Sequence, residues 1–481
     1  MTNSTNASVG SPRNAFFRAT AILGACIVIG STGCSRQEPK RAAGGANNAP
    51  AVAKAPQAPA SGPFDNIFAW CWSPPNMDLK NLIPMLWVRN RDYASAGTVA
   101  RASRALPRGQ ASLFLWNAAP QLLADPLDTC RTASGDSTTF PSPWLAAGAK
   151  QIGGRMTKFF RAFKAAGGRM NFLVLDYEAG LSSWQLSLSD MEAIERDPRS
   201  KRLEKQLGFP YLSSAFFAGP NRRAWNLLMG SRIASALNTA FFSPARASFP
   251  RLYGSNFGGV NMTAPYVVPD PNGHYQALSC VFGNCQSPAF YGTIGGLAYA
   301  SPGGHPCGNA PFAILRYEMI YLQGIQSTSR LPVVPWVAYP SYSKTAGYYK
   351  ELVYQLALRG VSQFLYWNPR QLDGQPGATP RDDRQLNGYL AALRRRLGPQ
   401  PGKPIATGPV HWRTGLLVAA RETKDGRTLY RVTAPPGTAE IVEIPGGKKI
   451  PLRGGTGVWV TSGPKTALRF RIAQPAGYIL R

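Results

Sequence analysis

The amino-acid sequence predicts an α/β protein in which a β/α-barrel of TIM type, with room for distortion, is followed by a small antiparallel β-sandwich. Three observations predict it. From Phe64 onward, short runs rich in β-branched and aromatic residues alternate with longer amphipathic stretches, the pattern of β/α units around a parallel sheet. Beyond about residue 409 the texture changes to short alternating strands separated by Gly, Pro and Asp turns. A chain of 481 residues also exceeds what one hydrophobic core usually organises.

The strands of the first unit are expected at 66–72, 111–117, 171–178, 251–256, 331–340 and 362–368, with 83–88 as a seventh. A barrel needs eight, and 205–220 is a place where one could hide. Ile152, Met156, Phe159, Phe160 and Phe163 recur at helical spacing, with Arg155, Lys158, Arg161 and Lys164 on the other face. A helix near 381–397 has Asp382 and Asp383 in its first turn, Arg394 to Arg396 in its last, and Gly398-Pro399 as its stop. Residues 257–310 are rich in Gly, Pro, Asn and Cys and lack periodicity, so they read as a long excursion above the barrel mouth. The domain boundaries follow as 64–398 for the barrel, 399–409 for a linker and 410–481 for the sandwich. Lys424 to Arg427 reads as a hairpin turn within the sandwich.

The N-terminus reads as an export signal. Arg13 and Arg18 precede an uncharged run that ends at Cys34 and is shorter than a membrane span requires. Gly30 to Cys34 resembles a bacterial lipobox, which makes residues 1–33 a lipoprotein signal peptide and Cys34 the lipid anchor. The expected location is the cell envelope, on the periplasmic side or the cell surface. Residues 34–63, an Ala/Pro-rich tract without apolar periodicity, read as a disordered tether.

Charge and cysteines narrow the partners. The formal charge is +29, and loss of residues 1–33 removes two arginines and no acid, leaving 51 basic against 24 acidic residues, or +27. Such a field attracts polyanions. Zinc-finger spacing, RNA-binding aromatic motifs and basic helical repeats are absent from the sequence, so no nucleic acid is expected, and for an exported protein an acidic glycan is the accessible polyanion. Of five cysteines in the folded part, Cys280 and Cys285 close a short loop and form the preferred disulfide. With three histidines and no paired C-x-x-C spacing, no metal site and no cofactor are expected. A monomer is the expected state.

Chemistry in a β/α-barrel lies at the C-terminal ends of the strands. There the run NFLVLDYEAG places Asp176 and Glu178 two residues apart, on the same side of a strand. Two carboxylates so close do not both ionise freely, and the one with the raised pKa is suited to general-acid work. Glu178, nearer the rim, takes that role. Other strand ends supply Trp72, Asn117, Asn256, Tyr339, Trp367 and Asn368. None of these is a carboxylate, whereas ordinary glycosidases use two carboxyl groups about 5–9.5 Å apart. A single local Asp-x-Glu pair points instead to attack by the substrate's own 2-acetamido group. Glu178 would then protonate the leaving oxygen, Asp176 orient the acetamido group and Tyr339 hydrogen-bond it. Trp72 and Trp367 would form the floor under a sugar ring, with Asn117, Asn256 and Asn368 as further substrate contacts.

Four segments, WCWSPP (70–75), FLVLDYEAGLSSW, LPVVPWVAYPSY (331–342) and ELVYQLALRGVSQFLYWN (351–368), together resemble the hyaluronidase family in order and approximate spacing over residues 64–370. The resemblance implies a distorted barrel, hydrolysis of β-linked 2-acetamido sugars in an acidic polymer and no metal cofactor. It also implies Glu178 as acid and Asp176 as the acetamido-positioning residue. Tyr177 stands where that family usually has Trp, and the cysteine pattern differs. The readings that stay open are a noncatalytic glycan-binding or envelope-organising lipoprotein on a degenerate barrel, and a polysaccharide lyase.

Overall fold

The computed structural model describes residues 64, 66–70, 82–116, 147–176, 196–198, 234–256, 282–291, 311–328, 331–342, 346–369, 377–398, 402–405, 416–435, 439–443, 449–453, 457–463 and 469–471. The signal, the tether, and the segment 205–220 lie outside the described residues.

Eight parallel strands form one sheet: β1 (Asn66–Ala69), β2 (Leu82–Val88), β3 (Ala111–Leu115), β4 (Met170–Leu175), β5 (Tyr253–Asn256), β6 (Ala289–Phe290), β7 (Trp336–Ala338) and β8 (Gln363–Trp367). Their order is β5-β4-β3-β2-β1-β8-β7-β6. The two ends of that order meet. Asn284 N–H donates to the Gly254 carbonyl at 3.1 Å, Gly254 N–H donates to Asn284 Oδ1 at 3.0 Å, and Ser255 and Ser287 share a hydroxyl bond at 2.6 Å. A side chain at Gly283, whose φ is +83°, would overlap the Gly254 backbone, so this seam closes by direct approach of main chains.

Alternation along the strands fixes what faces the ring's interior. Phe68, Ile83, Met85, Phe114, Phe172, Val174, Trp336 and Leu365 share one buried cluster, while Leu113, Leu115, Leu173 and Leu175 join the outer core beneath the helices. The helices are α1 (Ala96–Arg104), α2 (Ala147–Ala165), α3 (Ser243–Ser248, entered through a π-turn at Asn238–Phe242), α4 (Pro311–Thr328), α5 (Tyr349–Leu358) and α6 (Pro380–Leu397). On α2 the expected stripe is the buried one: Ile152, Met156, Phe159, Phe160 and Phe163 are at most 2% exposed. Each buried phenylalanine there contributes about 1.5–3 kcal/mol over an exposed one.

One sequence expectation is corrected here. Residues 257–310 are not wholly an excursion, because they contain β6. Cys285 carries a free thiol among the described residues. Its segment is drawn into the seam, where Sγ lies 3.2 Å from the Gly254 carbonyl and the side chain is 1% exposed. Burial pushes that thiol up to about 12, against its hydrogen bonds with Ser287, Ser255 and the Gly254 backbone, so it stays protonated. Cys280 lies outside the described residues.

Beyond α6, antiparallel strands form two sheets. The first contains β9 (Pro404–Ile405), β10 (Leu417–Glu422), β11 (Thr428–Thr433) and β14 (Gly457–Ser462); the second contains β12 (Ala439–Glu443), β13 (Lys449–Arg453) and β15 (Arg469–Arg471). β9 falls within the stretch read as a linker and pairs with β10. The hairpin turn is as expected, with Gly426 at φ +76° between β10 and β11. Leu452 and Ile450 of β13 pack against Val418, Val432, Val458 and Val460 of the first sheet.

The other face of the first sheet is joined to α5 of the barrel through Leu417, Ala419 and Leu429. At this junction Arg431 Nε donates to Glu351 Oε2 at 2.8 Å and its Nη2 donates to Oε1, with the two side chains 4% and 2% exposed. The guanidinium also lies over Trp459 and Tyr354, 4.8 Å and 5.2 Å from their ring centres. Arg421 donates to the carbonyl of Ala357 at 2.7 Å and Arg359 to that of Val418 at 2.9 Å. Burial lowers Arg359 to about 10, which leaves it protonated at neutral pH.

Candidate active site

At the C-terminal end of β4 the interior phase of Phe172 and Val174 brings Asp176 next. Asp176 N–H donates to the Leu115 carbonyl at 3.0 Å, which continues the β3–β4 ladder one residue past the strands. Asp176 therefore stands at the ring's mouth beside Trp116, since Leu115 and Leu175 are paired directly. Glu178 lies outside the described residues, as do Trp72 and Asn117. Asn256 ends β5 opposite Leu175.

Aromatic rings dominate the rest of the rim. On the β1–β3 side, Trp87 stacks on Trp116 with centres 4.9 Å apart and planes 14° from parallel, and meets Trp70 edge-on at 4.8 Å. Trp87 Nε1 donates to the Trp70 carbonyl at 3.2 Å. This indole is held on several sides yet is 38% exposed. On the β6–β8 side, Trp367 stacks on Tyr291 at 4.9 Å and takes the edge of Tyr342 at 4.6 Å. Tyr342 is 36% exposed. Rigid indole and phenol faces open to solvent suit the C–H-lined face of a sugar ring.

The expected residues divide accordingly. Trp367 is half-buried at the rim, where it was expected. Tyr339 packs on Trp367 at 5.9 Å but is 1% exposed, and Asn368 is fully buried. The tyrosine that this loop offers to solvent is Tyr342, one turn on: its N–H donates to the Tyr339 carbonyl at 3.1 Å. Trp87, Trp116, Tyr291 and Tyr342 were not singled out from sequence. An aromatic residue inside a strand carries the same pattern whether it fills a core or lines a mouth. Among the described residues no group of three His, Cys, Asp or Glu side chains could hold a metal ion.

Asp382 braces the Tyr342 loop. Its Oδ1 accepts from Ser341 N–H at 2.8 Å, and its Oδ2 accepts from the Thr379 N–H and hydroxyl at 2.9 Å and 2.6 Å, capping α6. Burial alone would raise this carboxyl, but the hydrogen bonds from Thr379 and Ser341 outweigh it and hold its pKa below the usual value. A carboxyl lowered in the folded state stabilises above its unfolded pKa, and the contribution is lost as pH falls through the folded value. Asp382→Asn should therefore cost about 1–2 kcal/mol near neutrality. The gap between its melting temperature and that of the wild type should close below about pH 4, the ordinary aspartate range. A gap that persists unchanged into acid would show that the charge of Asp382 is not what braces the loop.

Fold and rim together define a parallel β/α-barrel whose strand ends form an aromatic-walled mouth containing at least one carboxylate. Solved structures with a similar chain path include an endo-beta1,6-glucanase, with a TM-score of 0.39 and 9% identity over 85% of this chain and 93% of that one. An exo-beta-agarase has a TM-score of 0.34 and 10% identity over 60% of this chain and 44% of that one. No family model matches the sequence, and no curated protein matches it.

Proposed function

We propose that this chain is a glycoside hydrolase that cleaves an acidic polysaccharide containing 2-acetamido sugars. The observation that carries the reading is the placement of Asp176 on the interior phase at the mouth, between walls of stacked aromatic rings. Glu178 is proposed as its partner from the two-residue spacing in the sequence alone. Glu178 serves as general acid to the leaving oxygen, and Asp176 orients and stabilises the acetamido group as it attacks the anomeric carbon. Trp367 supports the sugar ring. The hydroxyl contact first expected of Tyr339 passes to Tyr342, because Tyr342 is the exposed member of the pair. The test is hydrolysis by the wild type and Glu178→Gln over a panel of acidic and neutral polysaccharides. New reducing ends that vanish in the variant support the reading. Unsaturated products would move the chain to the lyases, and binding without cleavage to the glycan-binding proteins.

The same proposal places the protein in the cell envelope through Cys34. Cys34→Ser is expected to move it from the membrane fraction to the soluble fraction and to abolish palmitate labelling. Retention of label in the variant would assign the anchor elsewhere.

A further inference from the structure

The helices on the outer face of the barrel over β2–β4 bear many cations, and the described acid beside them is Asp92 in the turn before α1. Along α2, Arg155, Lys158, Arg161 and Lys164 recur every third residue and are all exposed, with Lys150 near the start of the helix. Arg101 of the adjoining α1 adds to the same face. Neither α1, α2 nor α3 contains an Asp or Glu. None of the six cations named forms an ion pair among the described residues. Three residues turn a helix by about 300° and raise it about 4.5 Å, so these charges wind across the solvent side from one edge of the buried stripe to the other and form a broad basic surface.

The direction of the helix matters. α2 follows β3 and precedes β4, so its first turn lies on the same side of the barrel as Trp116 and Asp176, and the basic surface runs away from the mouth. We propose that this face is an exosite, a second binding surface that holds an acidic polysaccharide outside the catalytic mouth. The inference rests on the substrate class proposed above but not on catalysis. An anionic membrane is the weaker fit. Surface-seeking helices present apolar side chains for insertion, whereas the apolar side of α2 is buried and, among the described residues, the exposed large apolar side chains are Trp87 and Tyr342 on the rim.

The experiment measures binding of the full-length chain to polygalacturonate, hyaluronan, neutral dextran, phosphatidylglycerol vesicles and duplex DNA at several salt concentrations. The wild type is compared with Arg155→Gln/Lys158→Gln/Arg161→Gln and with the corresponding triple Glu variant, after circular dichroism shows each is folded. The expected result is preference for the acidic polysaccharides, at least a tenfold loss of that binding in the Glu variant, a smaller loss in the Gln variant, and a shallower salt dependence in both. Unchanged binding in both variants overturns the proposal. So does a wild type that prefers vesicles or DNA. The two proposals fail separately: Glu178→Gln should bind these polymers like the wild type, and a chain that binds through this face but cleaves nothing loses its enzymatic assignment while keeping the exosite.

Discussion

Glu178→Gln is expected to reduce polysaccharide cleavage by about 10²–10⁴-fold, the usual worth of a positioned general acid. The amide keeps the shape of the side chain but has no acidic proton to give to the leaving oxygen. Substrate affinity should stay near that of the wild type, because the proposed role of Glu178 is proton transfer and not holding the sugar. Initial rates of reducing-end release, with binding measured in parallel, separate the two effects. Asp176→Asn should slow the reaction as well, because the proposed acetamido nucleophile loses the carboxylate that orients it. A Glu178→Gln protein that retains full activity would place the acid on another strand.

Glu351→Ala is expected to destabilise the fold by about 3–5 kcal/mol, the largest effect foreseen for a single truncation outside the mouth. It leaves the Arg431 guanidinium buried, still enclosed by Trp459 and Tyr354, without the carboxylate that compensates its charge. The Thr433 hydroxyl, which donates to Glu351 Oε2 at 2.9 Å, loses its acceptor too. Replacing both ions, as in Glu351→Leu with Arg431→Met, should recover most of the loss because two buried charges leave together. Urea unfolding of the single and double variants measures the difference. A single variant that costs under about 1 kcal/mol would mean that water reaches the junction and solvates the arginine.

The barrel was legible in the sequence wherever a strand was long enough to alternate. β4 is the clearest case: Phe172, Val174 and Asp176 fall on one side and Leu173 and Leu175 on the other, so the carboxylate's direction could be read before its position was known. β6 was not legible, because two residues have no period and its neighbouring seam is held by Asn284, two glycines and two serines. α4 was missed for a related reason, as it follows the aperiodic region and has a weakly amphipathic sequence. The place of Cys285 in the seam was not legible either, because nearness in sequence carries no information about which side of a seam a thiol enters. At the mouth, composition marked the aromatic residues, but only the fold separates Tyr342 in solvent from Tyr339 beneath it.

The glycine-to-glycine closure at Gly254 and Gly283 also bears on how this protein can diversify. Gly254 and Gly283, on either side of residues 257–281 in sequence, are held against each other by the ring itself. Lengthening such a segment twofold costs only about 0.6 kcal/mol. Closure of the ring is therefore set by the two glycines themselves, and both should stay fixed wherever this seam is kept.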